Sequence, residues 1–308
     1  WSRIGGAGRL NVGGAALAQN GDLFVAGELL AATDLKFDGM TPPALTGLSD
    51  LFVARYAAAD GGYLWSRQIG GTSTSGATAL ALEPGGDVLI AGTFANAIDM
   101  GGGALIAGGL TNAFLARYDG SNRHVYSLKV GGNGTATAAG LALDRATADP
   151  LLVGFCRGTV EVGVSPLSCA GADWLHLRLG AQDRAVKWRA RLGGTGEDEA
   201  RAIAADPRGG ELWIAGSFSD SVSDMNGKTF SSAGERDVLL ARLKTDGTLL
   251  GLRSYGGAGA DRGVAVAAGA DGAVVLVGSI TGAVAFDDGM RGVAGQQSAF
   301  LLRLPPSS

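Results

Sequence analysis

Residues 65–94 read WSRQIGGTSTSGATALALEPGGDVLIAGTF, and this stretch holds most of a unit that recurs along the chain. It starts with an aromatic residue in a short alternating run, turns at Gly70-Gly71 and continues into small apolar residues. A second Gly-rich turn then leads into an almost wholly apolar segment. Short apolar runs that are separated by turns of this composition indicate antiparallel strands.

The unit occurs five times in 308 residues. After each Gly-Gly turn come a small apolar strand, an apolar strand ending in glycine, a long Gly-rich connection and a third strand such as NAFLARY. A tight turn leads from there into the next aromatic strand, so each unit contains four strands. The turns begin at Gly5, Gly70, Gly131, Gly193 and Gly256, with spacings of 65, 61, 62 and 63 residues.

Four short antiparallel strands in a repeat of this length are typical of one blade of a β-propeller. The last unit stops after its third strand, and the chain opens with one orphan strand, WSRI at residues 1–4. Pairing the two would complete a fifth blade and remove open sheet edges. The sequence therefore predicts an all-β, five-bladed β-propeller. It would be a single domain over residues 1–308, closed by the N-terminal strand.

The second and third strands resemble bacterial SBBP-type β-propeller repeats. The clearest copies are GGDVLIAGTF (85–94) with NAFLARYDG (112–120), and GGELWIAGSF (209–218) with DVLLARLKTDG (237–247). The resemblance covers nearly the whole chain and implies a secreted or cell-surface bacterial propeller without assigning an activity. Such proteins often have seven blades, whereas this chain has five units. An acidic residue typical of the Gly-Gly turn is present only as Asp198 and Asp261.

The charge balance excludes one class of partner. The formal net charge is −4, and the sequence contains no long run of Lys or Arg. A nucleic-acid binder needs a basic surface to neutralise phosphates, so we expect no nucleic-acid partner. No apolar run reaches the length that spans a bilayer, so we also expect no membrane span.

The two cysteines, Cys156 and Cys169, lie in the same repeat. The intervening segment can fold back as a hairpin, which favours a disulfide and with it an extracytoplasmic location. The alternative is two buried thiols that act as small apolar side chains. No metal site is predicted from these cysteines, because the chain has only two histidines to join them.

Two positions on the third strand recur through the units. One is an arginine, and the other is a polar residue five positions earlier. We interpret both as structural: the arginine pairs with a carboxylate or with backbone carbonyls, and the polar residue caps the turn entering the strand. The alternative for the arginines is a basic ring that binds anions. The positions are Arg55, Arg117, Arg178, Arg242 and Arg303, preceded by Asp50, Asn112, Asp173, Asp237 and Ser298.

The long connections between second and third strands are the candidate binding region, because binding residues concentrate on loops held by a rigid scaffold. Each connection contains a short apolar-x-apolar segment before glycine, which we interpret as an extra hairpin strand. The acidic residues of these connections and of the Gly-Gly turns are candidate ligand-binding groups, and calcium is the one metal that they would suit. They are Asp38, Asp99, Glu161, Asp198, Asp224, Asp261, Asp287 and Asp288.

These features predict a non-enzymatic extracytoplasmic binding or scaffold module, one that contacts a protein or glycan partner or forms part of a larger surface complex. No catalytic residues and no cofactor are predicted. The alternative is a carbohydrate-active propeller, either a lectin or a glycoside hydrolase. A hydrolase would need two carboxyl groups placed about 5–10 Å apart, flanking a sugar.

Overall fold

The computed structural model describes residues 9–31, 44–163 and 165–306, and within these ranges every regular element is a β-strand. The strands form five small antiparallel sheets, one for each sequence repeat, in the arrangement of a five-bladed β-propeller. The predicted fold class is thus confirmed. The chain divides into two compact units, Trp1–Leu141 and Ala142–Ser308. The single domain over residues 1–308 stays a prediction.

The first unit contains two complete sheets and most of the first strand of a third. In the first sheet the strands lie in chain order, and in the second a short hairpin is inserted between the second and third main strands. The first sheet is β1 (Arg9–Leu17), β2 (Leu23–Ala31), β3 (Asp50–Tyr56) and β4 (Tyr63–Ile69). The second is β5 (Ser75–Leu82), β6 (Val88–Phe94), β9 (Asn112–Tyr118) and β10 (His124–Val130), with the hairpin β7 (Ala97–Asp99) and β8 (Ala104–Ile106).

The remaining sheets follow the same plan. The third is β11 (Thr135–Leu143), β12 (Pro150–Val162), β13 (Ser165–Leu179) and β14 (Val186–Leu192). The fourth is β15 (Glu199–Ala205), β16 (Glu211–Phe218), β19 (Asp237–Lys244) and β20 (Leu249–Tyr255), with the hairpin β17 (Ser221–Ser223) and β18 (Thr229–Ser231). The fifth is β21 (Arg262–Ala268), β22 (Val274–Thr281) and β25 (Gln297–Leu304), with β23 (Val284–Phe286) and β24 (Gly289–Arg291).

The fifth sheet has three strands in the described part of the chain, with β25 as its outer strand. The predicted fourth strand, WSRI at residues 1–4, and the turn at Gly5 lie outside the described residues. Closure by the N-terminal strand therefore stays a prediction.

The apolar second and third strands form the cores. In the first unit Phe24, Phe94 and Phe114 are buried in one cluster that joins the first two sheets. In the second unit Trp174 and Phe218 belong to a cluster that joins the third and fourth sheets. Apolar residues on both faces of a strand are buried where a neighbouring sheet covers each face.

Two tryptophans of the third sheet lie between adjacent sheets. Trp174 is fully buried, and its ring N–H donates to the carbonyl of Ser217 in the next sheet at 3.0 Å. Trp188 makes the equivalent bond to the carbonyl of Thr245 at 2.8 Å. A buried indole usually needs such an acceptor, so these bonds satisfy both rings while they join adjacent sheets.

The short hairpins predicted within the long connections are present as β7–β8, β17–β18 and β23–β24. In the third sheet the same segment is part of the unusually long pair β12 and β13. The segment around Asp38 lies outside the described residues. Val164 is likewise outside the described residues.

A disulfide joins the two strands of that long hairpin, which confirms the preferred interpretation of the cysteines. Cys156 and Cys169 are bonded, with their Cα atoms 5.9 Å apart. A register shift between Cys156 and Gly158 displaces the pairing, so Cys156 faces Asp173 and Cys169 faces Gly158. The bond therefore spans the irregular point at which the sheet passes into its extension.

Candidate functional site

The repeated arginine of every sheet is held by a carboxylate in or beside the turn between the first and second strands. Arg55 and Arg178 also donate to a backbone carbonyl in the next sheet, of Gly120 at 2.9 Å and of Thr245 at 2.8 Å. A guanidinium engaged in this way is not free to form an anion-binding ring. The pairs are Arg55–Asp22 (2.7 Å), Arg117–Asp87 (2.9 Å), Arg178–Asp149 (2.8 Å), Arg242–Glu211 (2.5 Å) and Arg303–Asp271 (2.7 Å).

The polar residue at the start of the third strand folds the end of the long connection back on itself. Its side-chain oxygen accepts a backbone N–H three or four residues earlier, which is the local capping that such residues provide. The contacts are Thr46 to Asp50 (3.1 Å), Gly108 to Asn112 (3.2 Å), Ala170 to Asp173 (2.8 Å) and Ala233 to Asp237 (3.0 Å). The fifth counterpart, Ser298, is half-buried.

A backbone hydrogen bond repeats at the junctions between adjacent sheets. The residue that precedes the capping position offers its carbonyl to an amide beyond the next Gly-Gly link. The four bonds are Ser75 N to Ser49 O (3.1 Å), Ala136 N to Thr111 O (3.1 Å), Asp198 N to Ala172 O (2.6 Å) and Asp261 N to Arg236 O (2.7 Å). The junction is thus built largely from main-chain groups, so it does not depend on which side chains these residues carry.

The two acidic residues of the Gly-Gly turns are buried in these junctions. Asp198 is fully buried and accepts the amides of Gly194 (3.0 Å) and Ser219 (3.1 Å). Asp261 is equally buried and accepts those of Gly257 (2.8 Å) and Thr281 (2.6 Å). Each carboxyl group therefore ties the link to the end of the next sheet's second strand, out of reach of a soluble ligand.

Burial governs the protonation of these groups. Removal from water raises the pKa of Asp198 to about 6, and the charge of Asp173 adds to the shift. Burial also raises the pKa of Asp261. Asp237 behaves in the same way: burial and the nearby Asp261 raise its pKa to about 6.

Two of the loop carboxylates shape their own turns. Asp99 accepts the amides of Gly101 (2.7 Å) and Gly103 (3.1 Å). Asp224 accepts those of Asn226 and Lys228, each at 2.9 Å. These are Asx-type turns, in which the side chain substitutes for a backbone acceptor. Glu161 is exposed on the extension of the third sheet.

The last two candidates, Asp287 and Asp288, lie at the tip of the β23–β24 hairpin. Asp287 accepts from Arg253 (2.8 Å) and from the hydroxyl of Tyr255 (3.3 Å), while Asp288 pairs with Arg291 (2.8 Å). Arg253 and Tyr255 are not among the residues that the sequence pattern singled out. Their shared position at the end of β20, directly before a Gly-Gly link, was the available signal.

An open groove of about 630 Å³ lies beside this hairpin in the second unit. Phe286 and Phe300 form its apolar side, with ring centroids 5.2 Å apart, and Asp287, Asp288 and Arg291 form its polar side. The groove follows β25, the outer strand of the fifth sheet as described. Aromatic faces beside carboxylates suit a polar organic ligand such as a sugar.

Exposed apolar side chains are the other feature of the long connections. Leu110, at 84 % exposed, is the most open of them. Apolar side chains of similar exposure also lie elsewhere in the described residues, such as Leu17 at 70 % and Leu301 at 71 %. Those of the long connections are Leu48, Ile106, Leu110, Met225, Met290 and Val293.

The described residues contain no group of three or more His, Cys, Asp or Glu side chains that could hold a metal ion. Apart from the exposed Glu161, the acidic candidates within the described residues lie in turns, ion pairs or buried junctions. Within the same ranges, no helix is long and apolar enough to cross a bilayer.

Comparison with known proteins gives structural similarity only. No protein-family model matches the chain, and no curated protein matches it. Among solved structures it is similar to the Dos1 propeller (12 % identity, TM-score 0.41), covering 86 % of this chain and 56 % of that one. It is also similar to a glucose dehydrogenase (13 %, 0.45, covering 98 % and 84 %) and to an ulvan lyase of a polysaccharide lyase family (12 %, 0.49, covering 98 % and 72 %).

The chain thus spans little more than half the length of the Dos1 propeller structure. At such low identities and TM-scores, the activities of these proteins are not transferred to this chain.

Proposed function

We propose that this protein is an extracytoplasmic binding or scaffold module that contacts another protein through its long connections. The observation that carries the proposal is the contrast on those connections. Asp99 and Asp224 are used in their own turns, while Leu110, on the same connection as Asp99, and Met290, on that of the fifth sheet, stand exposed. Apolar side chains that differ from sheet to sheet suit one extended protein partner better than five equivalent small-ligand sites.

The disulfide supports the location. Structural disulfides persist in oxidising compartments and are rare in a reducing cytosol. The bond between Cys156 and Cys169 is buried, so it serves the fold and not an exposed redox reaction.

The test is a comparative capture experiment with immobilised protein and the secreted and envelope fractions of the source cells. Wild type is compared with Leu110→Asp, Met290→Asp and the control Leu17→Asp, whose leucine is 70 % exposed at the opposite end of its sheet's strands. We expect one partner to be retained by wild type and by the control and to be lost with a connection variant. Identical binding by all four proteins would contradict the proposal.

Carbohydrate binding is the second candidate, and the groove beside β25 is the observation that favours it. It competes with the predicted closure of the ring, because Trp1–Ile4 would pair with the same strand. A glycan array should be run with wild type and Asp287→Asn, in calcium and in chelator. Binding that is lost with Asp287→Asn would replace the protein-partner proposal. Release of reducing sugar from a bound glycan would further identify a hydrolase.

A further inference from the structure

Two of the junctions between sheets each bury a pair of carboxyl groups. Between the third and fourth sheets, Asp173 Oδ1 and Asp198 Oδ2 both lie against Gly193, at the place where a Cβ on that residue would stand. Both side chains are fully buried. Two negative charges that lie against the same residue, away from water, repel each other strongly.

The next junction also buries two carboxyl groups beside its Gly-Gly link. Asp237 lies against Gly256, and Asp261 accepts the amide of Gly257, the following residue of the same link, at 2.8 Å. Both carboxyl groups are again less than one-tenth exposed. The pair is therefore a feature of the junction and not of one loop.

One oxygen of each pair lacks a hydrogen-bond donor. Among the described residues, nothing donates to Asp173 Oδ1 or to Asp237 Oδ1, and both atoms are buried. Buried polar atoms normally have a partner, and an unmade bond is costly. A proton on the neighbouring carboxyl group would supply the missing donor and remove one charge at the same time.

The surrounding charges differ between the two junctions. Arg191 contacts Asp173 at 3.1 Å. Arg236 faces the same junction but pairs with Glu199 at 3.1 Å and approaches Glu197 at 3.9 Å.

No described Lys, Arg or His makes an ion pair with Asp237 or Asp261, and the adjacent Arg262 is exposed. Burial and the charge of Asp261 raise the pKa of Asp237 to about 6, consistent with this isolation.

We propose that each pair holds a single proton between its two carboxyl groups in mildly acidic solution and releases it to solvent as the solution becomes neutral. Release leaves two buried carboxylates against one Gly-Gly link. The two junctions of the second unit are therefore more stable in mildly acidic solution and less stable toward neutral pH.

The chain contains a neutral version of this junction. Asn112 occupies the position of Asp237 in the second sheet, and Ala136 occupies that of Asp261. The Asn112 amide donates to the carbonyls of Gly132 and Gly134, each at 3.3 Å. An amide therefore fits the position without any proton, which makes Asp237→Asn a suitable substitution.

The experiment measures urea unfolding from pH 5 to pH 7.5 for wild type, Asp237→Asn and the control Asp50→Asn. Asp50 caps the same position, but Ser75 stands where the second carboxyl group would be. We expect the unfolding constant of wild type to rise over this range by about tenfold for each pair. Asp237→Asn should lose its pair's share of that rise, whereas Asp50→Asn should keep the wild-type slope.

Carboxyl ¹³C titration of wild type gives a second readout that does not depend on a variant folding. Asp237 should change protonation near pH 6. Midpoints below pH 5 for both members of the pair, or a wild-type pH slope in Asp237→Asn, would overturn the proposal. So would stabilisation by millimolar calcium at pH 7.5 that Asp237→Asn abolishes, because the pair would then hold a cation instead of a proton.

Discussion

At the first position of each described Gly-Gly link, the preceding sheet leaves no room for a side chain, so the residue is glycine. The side chain of Asp50, Asn112, Asp173 or Asp237 occupies the position that a Cβ would need on Gly70, Gly131, Gly193 or Gly256. Only Gly131 has a positive φ, at 146°, so backbone conformation does not account for the other three. The glycines that define the repeat are therefore explained by packing against a neighbour.

This packing gives a prediction for Gly193. Gly193→Ala must displace the buried Asp173 and Asp198 carboxyl groups, and overpacking of this kind costs about 1–3 kcal/mol. Gly85→Ala is the matched control, since a Cβ there meets no atom within 4 Å. Urea denaturation should show a clear loss of stability for the first variant and little change for the second. Equal effects would mean that the junction can expand.

The repeated arginines should differ in importance according to burial. Arg178 is 13 % exposed and binds Asp149 and the Thr245 carbonyl, whereas Arg303 is 57 % exposed and binds an equally exposed Asp271. Arg178→Ala leaves a buried carboxylate unpaired and should lower the free energy of unfolding by about 3 kcal/mol. Arg303→Ala should cost under about 1 kcal/mol, as exposed pairs do. Chemical denaturation of the two variants checks the ranking, which a larger loss for Arg303→Ala would reverse.

The sequence revealed the arginines by repetition but not their partners. An acidic residue stands in or beside the turn before the second strand in all five sequence repeats. Aligning that position would have revealed the pairs. Asp198 and Asp261 were proposed as ligand-binding groups because acidic residues beside glycine resemble an exposed turn. Their burial follows from how adjacent sheets meet, which spacing along one chain does not specify.

Among the elements, the strands were predictable and their irregularities were not. In four sheets the first strand has a register shift, at Gly13, Thr78, Arg201 and Val264. Such bulges increase the local twist of a strand. The sequence on either side is uniformly small and apolar, so one extra residue changes no visible pattern. The bulged Thr78 uses its hydroxyl to donate to Ala138 in the next sheet at 2.8 Å.

The disulfide should stabilise one hairpin and not the whole chain equally. Its closed loop is short, with a separation of 13 residues, so the expected contribution is about 2–3 kcal/mol. In Cys156→Ala/Cys169→Ala, hydrogen exchange should accelerate most in the extended part of β12 and β13, beyond Cys156. Global stability should fall by a similar free energy in thermal unfolding. Unchanged exchange in that extension would show that the strand pairing alone holds it.

For the molecule as a whole, the buried carboxyl groups predict that stability is greatest on the acidic side of neutrality. Burial would raise the pKa of Asp149, but the amide of Ala181 and the guanidinium of Arg178 lower it below 3.8. Its contribution is present above 3.8 and is lost as the pH falls. Asp198 and Asp237 act oppositely: their contribution is complete below 3.8 and is lost as the pH rises through about 6.

Calorimetry across the pH range should therefore give the highest Tm at about pH 4. Asp198 and Asp237 should each lose about 3 kcal/mol of stabilisation as the pH rises, most of it between about pH 4 and pH 6. Asp198→Asn should flatten that side of the curve and leave the acid side unchanged. A maximum at pH 7 or above in the wild type would be inconsistent with these buried groups.

The sequence alone predicts the fold further than it predicts the candidate site. The number of sheets follows from counting one repeat, because each strand has its own apolar run and turn. The candidate site depends on which side chains of different sequence repeats face each other, as Asp287 faces Arg253 and Tyr255. Those contacts join positions that no single repeat contains, so repetition could not indicate them.

The carbonyl-to-amide bond that recurs between adjacent sheets also bears on how such a chain can change over generations. Each junction uses groups from two successive repeats only, and both partners are backbone atoms. Duplicating or deleting one whole repeat would recreate the same bond between the new neighbours, whatever their side chains. Recombination between repeats could therefore alter the number of blades while every surviving junction kept its geometry. The long connections, apart from the residue that supplies this carbonyl, could meanwhile diverge independently.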